Sequence, residues 1–157
     1  MFVVTEQDLQ RKQRSLSISE KSEVPSVRER IVSLLVGLGY GQRDVFAVRL
    51  ATEEALLNAI EHGNKKDKGK KVTVAYALDP QRSEITVTDE GEGFDPGSIP
   101  DCTADDNLTK SRGRGIALMR GFMDIVEFGE KGNTVRLVKF NSARGAKPAG
   151  REEARVD

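Results

Sequence analysis

The chain has 157 residues, 25 Lys and Arg against 25 Asp and Glu, one His and one Cys. That length suits one domain with one core, and zero net charge disfavours a protein whose main task is gripping nucleic-acid backbone, since that task leaves a basic excess. The lone Cys102 and lone His62 exclude an internal disulfide, a CxxC zinc site and any site of several histidines. No apolar run is long enough to span a bilayer, and the opening MFVVTEQDLQRKQ lacks the apolar core of a secretory signal, so a cytoplasmic location is expected.

After an N-terminal extension over 1–15, residues 16–20 (LSISE) alternate apolar and polar and predict a short strand. Val27, Ile31, Leu34, Leu35 and Leu38 have helical spacing, with Pro25 suited to the first turn and Gly39 and Gly41 ending it. A second helix is expected over 43–61, closed by Gly63-Asn64. Its apolar residues lie all round it, which predicts a central, buried position. Residues 71–78 alternate, placing Val72, Val74, Tyr76 and Leu78 on one face. Asp79-Pro80-Gln81-Arg82 reads as a turn, and Ile85, Val87 and Asp89 share a face of the next strand. A Gly-, Asp- and Pro-rich loop covers 90–112, and a helix is expected over 115–123. Strands over 124–129 and 133–140 flank the hairpin signal Gly129-Glu130-Lys131-Gly132. Residues 141–157 lack periodic apolar positions and are expected to form a disordered tail. The fold class is α+β: a two-layer sandwich over 16–140, with a mixed, mostly antiparallel sheet and helices on one face.

Neutrality conceals segregated charge. Residues 65–71 (KKDKGKK) hold five Lys and one Asp and read as a solvated surface. Residues 89–106 hold seven acids and no Lys or Arg, whereas Lys110, Arg112, Arg114 and Arg120 follow without an acid over 110–120.

Four short motifs sit on these elements. Glu54 and Asn58 are four apart, one above the other on a helix face, with His62 continuing the row. An Asn carbonyl is a hard ligand suited to Mg²⁺, and a carboxylate one turn away can take a proton from a hydroxyl. Alone, the pair reads as an exposed polar stripe with a Glu–Asn hydrogen bond. Asp89-Glu90-Gly91-Glu92-Gly93 ends a strand with an inward carboxylate, which must find donors. An adenine amine is one such donor, and an Asx turn is the plainer account. Arg112-Gly113-Arg114-Gly115 places glycines ahead of an apolar-periodic helix, where free backbone amides bind anions; a flexible loop entering a helix has the same composition. Gly132-Asn133-Thr134 opens the last strand and by itself is only a hairpin. Neither a G-x-G-x-x-G nor a P-loop is present.

In order and spacing these motifs resemble the Bergerat-fold ATPases, the superfamily of gyrase, histidine kinases and mismatch-repair ATPases. The runs TEEALLNAIEHGN, VTDEGEGFDP, GRGIALMRGFMDIVEF and KGNTVRL are similar to the bacterial anti-sigma factor serine kinases. The resemblance implies ATP and Mg²⁺ as cofactors. Asn58 would hold the metal, Glu54 would be the general base on a protein serine, and Asp89 would accept from adenine. Gly91 and Gly93 would shape the base pocket, with Thr134 supporting Asp89 through water. Residues 94–112 would form the lid, Gly113 and Gly115 would meet phosphate, and Lys110, Arg112 and Arg114 would supply positive charge. Glu53 points about 100° from Glu54 on the helix and has no catalytic role. The implied partners are a sigma factor, a STAS-type anti-anti-sigma protein and a second copy in a homodimer, with no direct nucleic-acid or membrane contact. Arg28 matches a partner-contact position. A module that binds ATP and holds a partner without transferring phosphate is the competing reading, and a stand-alone ATPase is a third.

Overall fold

The computed structural model describes residues 13–93 and 111–145. Strand β1 (Arg14–Ile18) leads through a 3₁₀ turn (Lys21–Glu23) into helix α1 (Val24–Gly37) and helix α2 (Gln42–Asn58), which continues as a π-helical turn (Ala59–Gly63). Strands β2 (Val72–Leu78) and β3 (Arg82–Asp89) follow. Helix α3 (Ser111–Phe122) then precedes β4 (Ile125–Phe128), β5 (Thr134–Phe140) and a 3₁₀ turn (Ser142–Arg144). The sheet order is β1-β2-β3-β5-β4, and every pairing is antiparallel.

Period-two patterning builds the sheet's inner face. In β3, Ser83, Ile85, Val87 and Asp89 are buried while the residues between them are partly exposed, as alternation of side chains across a strand demands. Val72 and Val74 of β2 and Leu137 of β5 complete that face. The three helices lie against it, giving the expected two layers. Val27, Ile31 and Leu35 of α1, Val48, Ala51 and Leu56 of α2, and Ile116 and Met119 of α3 close the core. Helix α2 packs against both other helices and reaches the sheet at β3 and β5. On the opposite face, the buried Arg136 donates to Glu84 at 2.7 Å and to Glu127 at 3.3 Å, a cross-strand ion ladder.

Several sequence expectations shift. The first strand ends at Ile18, two residues early, because the Glu23 carboxylate accepts from the Ser19 and Glu20 amides at 2.8 and 3.0 Å and turns the chain into the 3₁₀ element. Leu34 stands 37% exposed, since Val24, Val27, Ile31 and Leu35 already form the i, i+3, i+4 stripe. The second helix is α-helical only to Asn58. The third begins at Ser111, four residues before Gly115. Order extends past Phe140: buried Asn141 donates to the Pro80 carbonyl at 2.9 Å, and Ser142 gives its amide and hydroxyl to Asp44 at 2.8 and 2.7 Å. The remainder of the expected tail, most of the N-terminal extension and the expected lid over 94–110 lie outside the described residues. Among the described residues no helix is long and apolar enough to cross a membrane.

Candidate active site

Helix α2 delivers two neighbouring carboxylates to different faces, Glu53 toward Arg28 of α1 and Glu54 toward Gly115 of α3. Glu54 and Asn58, one turn apart, face the start of α3. A β-carbon built on Gly115 would stand 2.7 Å from Glu54 Oε2 and 2.9 Å from Asn58 Nδ2. Glycine at 115 is therefore required by close approach, inside a helix where it otherwise weakens the backbone. Asn58 Nδ2 is buried and has no hydrogen-bond partner among the described residues. Such an orphan is costly unless a bound group completes it. The affinity of Glu54 for its proton is raised, first by partial burial and then by the charges of Glu53 and Glu61, with Arg114 opposing. Desolvation of this kind makes a carboxylate a stronger base near neutral pH.

Asp89 closes the other end of the site. It is buried at the end of β3, where Oδ1 accepts from the Gly91 amide at 2.8 Å. Its backbone is tied to Asn133, donating to the Asn133 carbonyl at 2.9 Å and accepting from Asn133 Nδ2 at 3.1 Å. Gly63, at the end of the π turn, passes so close that a β-carbon there would lie 2.2 Å from Asp89 Oδ2. Widened helical turns of this type are frequent where a helix is re-aimed at a functional site. Asn64 pins the turn in place: its Oδ1 accepts from the Glu90 amide at 2.8 Å and its Nδ2 donates to the Lys71 carbonyl at 3.1 Å.

Between these ends runs a cleft walled by Ala55, Ala59, Val87 and Met119, with Asn133 and Thr134 on its rim. Apolar walls, a buried carboxylate acceptor at the inner end and backbone-lined glycines suit a flat base bearing an exocyclic amine. The orphaned Asn58 amide at the outer end suits a metal–phosphate group, because rotating the amide presents its oxygen, the metal-ligating atom. The residues present fit ATP with Mg²⁺.

Of the expected site residues, Asn58, Asp89 and Thr134 line this cleft, Glu54 stands beside Asn58 against Gly115, and Gly91 donates its amide to Asp89. Gly93, at φ 83°, lies against the Lys131 carbonyl and fixes the chain leaving β3 onto the β4–β5 turn. Because α3 begins at Ser111, Gly113 falls within its first turn, whose amides lack intrahelical partners, and Gly115 falls just beyond it. At Gly115 the structure shows a close approach to Glu54 and Asn58. The Thr134 hydroxyl donates to Thr88 Oγ1 at 3.2 Å, and Asn133 donates to the Asp89 backbone carbonyl at 3.1 Å. Lys110 and the side chain of Arg112 lie outside the described residues. Arg28 is engaged within the chain, donating to Glu53 at 3.1 Å and Glu29 at 3.0 Å. Sequence reasoning treated Gly63 and Asn64 only as a helix stop. The signal that gives them more is their place directly after the Glu54/Asn58 row.

The profile of the histidine kinase-like ATPase domain family matches residues 18–139. Serine-protein kinase RsbW of Bacillus licheniformis is 33% identical over 124 residues, covering 73% of this chain and 76% of that protein. The anti-sigma F factor of Oceanobacillus iheyensis is 30% identical over 132 residues, covering 80% and 90%. A solved structure of the RsbU and RsbW domains of a Mycobacterium tuberculosis protein aligns with a TM-score of 0.53 at 18% identity. It covers 82% of this chain, which spans about a third (32%) of that longer one, and it supports the fold.

Proposed function

The chain belongs to the histidine kinase-like ATPase family, among the anti-sigma serine kinases, and from that premise we propose that it transfers phosphate from ATP to a serine of a STAS-type antagonist and sequesters a sigma factor in the cytoplasm. The observation that carries this reading is the approach of Gly115 to both Glu54 and Asn58. It brings a base, a metal-type amide and a helix start together at the open end of a cleft whose inner end carries Asp89.

Phosphoryl transfer depends on positioning and charge neutralisation more than on covalent help. Bound ATP with Mg²⁺ would supply the transferable phosphoryl group and the compensating positive charge. Asp89 accepts from the base amine and so selects adenine. Ala55, Ala59, Val87 and Met119 exclude water from the base. Asn58 would hold the metal through its amide oxygen. The first-turn amides of α3, including Gly113, face phosphate, with Arg114, Lys110 and Arg112 adding charge. Glu54 takes the proton from the acceptor serine hydroxyl. Gly91 and Gly93 shape the pocket wall, and Thr134 supports Asp89 through water. In this reading the active form is a homodimer. The Arg28 side chain is already paired with Glu53 and Glu29, so a partner contact there must compete with those carboxylates.

Incubation of the chain with Mg²⁺, ATP and a candidate STAS protein, followed by mass spectrometry, tests the reading. Phosphoserine on the acceptor supports it. Nucleotide binding without phosphoserine on any candidate favours the ATP-responsive switch, and steady ADP release without acceptor favours a stand-alone ATPase.

A further inference from the structure

Glu53 and Glu54 are adjacent in sequence but belong to different neighbourhoods. Glu54 turns toward α3, where Gly115 meets it. Glu53 turns toward α1, where Arg28 Nη1 donates to its Oε1 at 3.1 Å. Arg28 also donates through Nε to Glu29 Oε1 at 3.0 Å, and Arg49 reaches that same oxygen from α2. The Arg28 side chain is only 18% exposed, so its guanidinium is held in one fork-like arrangement rather than sampling solvent. Two carboxylates one residue apart at the rim of a phosphate site are a hazard, because the second repels the same phosphates that the site must hold.

We propose that Arg28 is a positioning residue for phosphotransfer: by pairing with Glu53 it neutralises the second carboxylate and keeps it on the α1 side, leaving Glu54 as the carboxylate that faces the acceptor. This role rests on the kinase reading above. It assigns the Arg28–Glu53 pair a function inside the chain, where a solvated Arg or a pure partner contact would give it none.

The experiment measures kcat and KM for ATP and for the acceptor protein in the parent, Arg28→Ala, Arg28→Lys, Glu53→Gln and the double variant Arg28→Ala/Glu53→Gln, with thermal melting of each. Phosphotransfer by the parent is the control, and its absence sinks the kinase reading itself. With an active parent, Arg28→Ala is expected to lower kcat about tenfold, the scale of one uncompensated charge near the site. Glu53→Gln alone should stay within about twofold of the parent. The decisive result is rescue: the double variant returns to near-parent kcat although Arg28 is still missing, because the harm lies in the freed carboxylate. Arg28→Lys, which keeps the charge, should fold and retain most activity should Arg28→Ala melt too low to assay. A double variant as slow as Arg28→Ala overturns the proposal, as does a change confined to KM for the acceptor, which would make Arg28 a partner contact.

Discussion

Gly63 and Asp89 lie so close that a β-carbon on the glycine would fall 2.2 Å from the carboxylate oxygen Oδ2. The end of the π turn and the end of β3 are thereby locked together, and the inner end of the cleft exists only while residue 63 has no side chain. Gly63→Ala is expected to displace Asp89, cost about 1–3 kcal/mol of stability and weaken ATP binding at least about tenfold. Calorimetric titration with a non-hydrolysable ATP analogue checks it, with thermal melting to separate the two effects.

Gly115→Ala makes the contrasting case. Alanine is the better helix former by about 1 kcal/mol, and the groups it would meet, Glu54 Oε2 and Asn58 Nδ2, are ends of flexible side chains. The fold should hold, with a melting temperature equal to or above the parent's, while phosphotransfer falls at least about tenfold because the base and the metal-type amide are pushed off position. A loss of activity accompanied by an equal loss of folded protein would contradict this.

The proton affinity of Glu54 is raised above its ordinary value of 4.5, chiefly by burial. The sign follows directly. The folded chain binds this proton more tightly than the unfolded chain, so ionising Glu54 costs stability as pH rises from the ordinary value through the raised one, and the cost is full above that window. The acid limb of the phosphotransfer profile should therefore be displaced upward from the ordinary Glu value. Glu54→Gln should abolish the reaction while melting at or above the parent temperature at neutral pH. Melting curves from about pH 4 to pH 8 check the second half.

Thr52 is fully buried on α2, and its hydroxyl has no hydrogen-bond partner among the described residues. Removing an unsatisfied buried hydroxyl in favour of a methyl of similar volume should stabilise the chain by roughly 1 kcal/mol. Thr52→Val is expected to raise the chemical-denaturation midpoint with no change in the slope.

The alternation of Val72, Val74 and Tyr76, and of Ile85, Val87 and Asp89, made the inner sheet face legible, because a strand has one simple period. The helices were legible to within a few residues. Two of the displaced boundaries share a cause: side chains competing with local propensity. Glu23 captures the Ser19 and Glu20 amides and shortens β1, and Asp44 reaches across the sequence to hold Ser142. The candidate residues Glu54, Asn58 and Asp89 were legible as a spaced set. The roles of Gly63, Gly115 and Asn133 were not, since each consists of an approach between segments distant in sequence, which no local pattern encodes. The pairing of Arg28 with Glu53 was likewise invisible, although the 100° separation of Glu53 from Glu54 already placed them on different faces.

In the proposed reaction Glu54 and Asn58 act together on phosphate at the Gly115 approach. Single-turnover transfer from Mg²⁺-ATP to a STAS acceptor, compared across the parent, Glu54→Ala and Asn58→Ala, tests it most directly. The account predicts phosphoserine with the parent and a loss of at least about a hundredfold in each variant, with both variants folded by melting. Acceptor phosphorylated as fast by either folded variant as by the parent would contradict it.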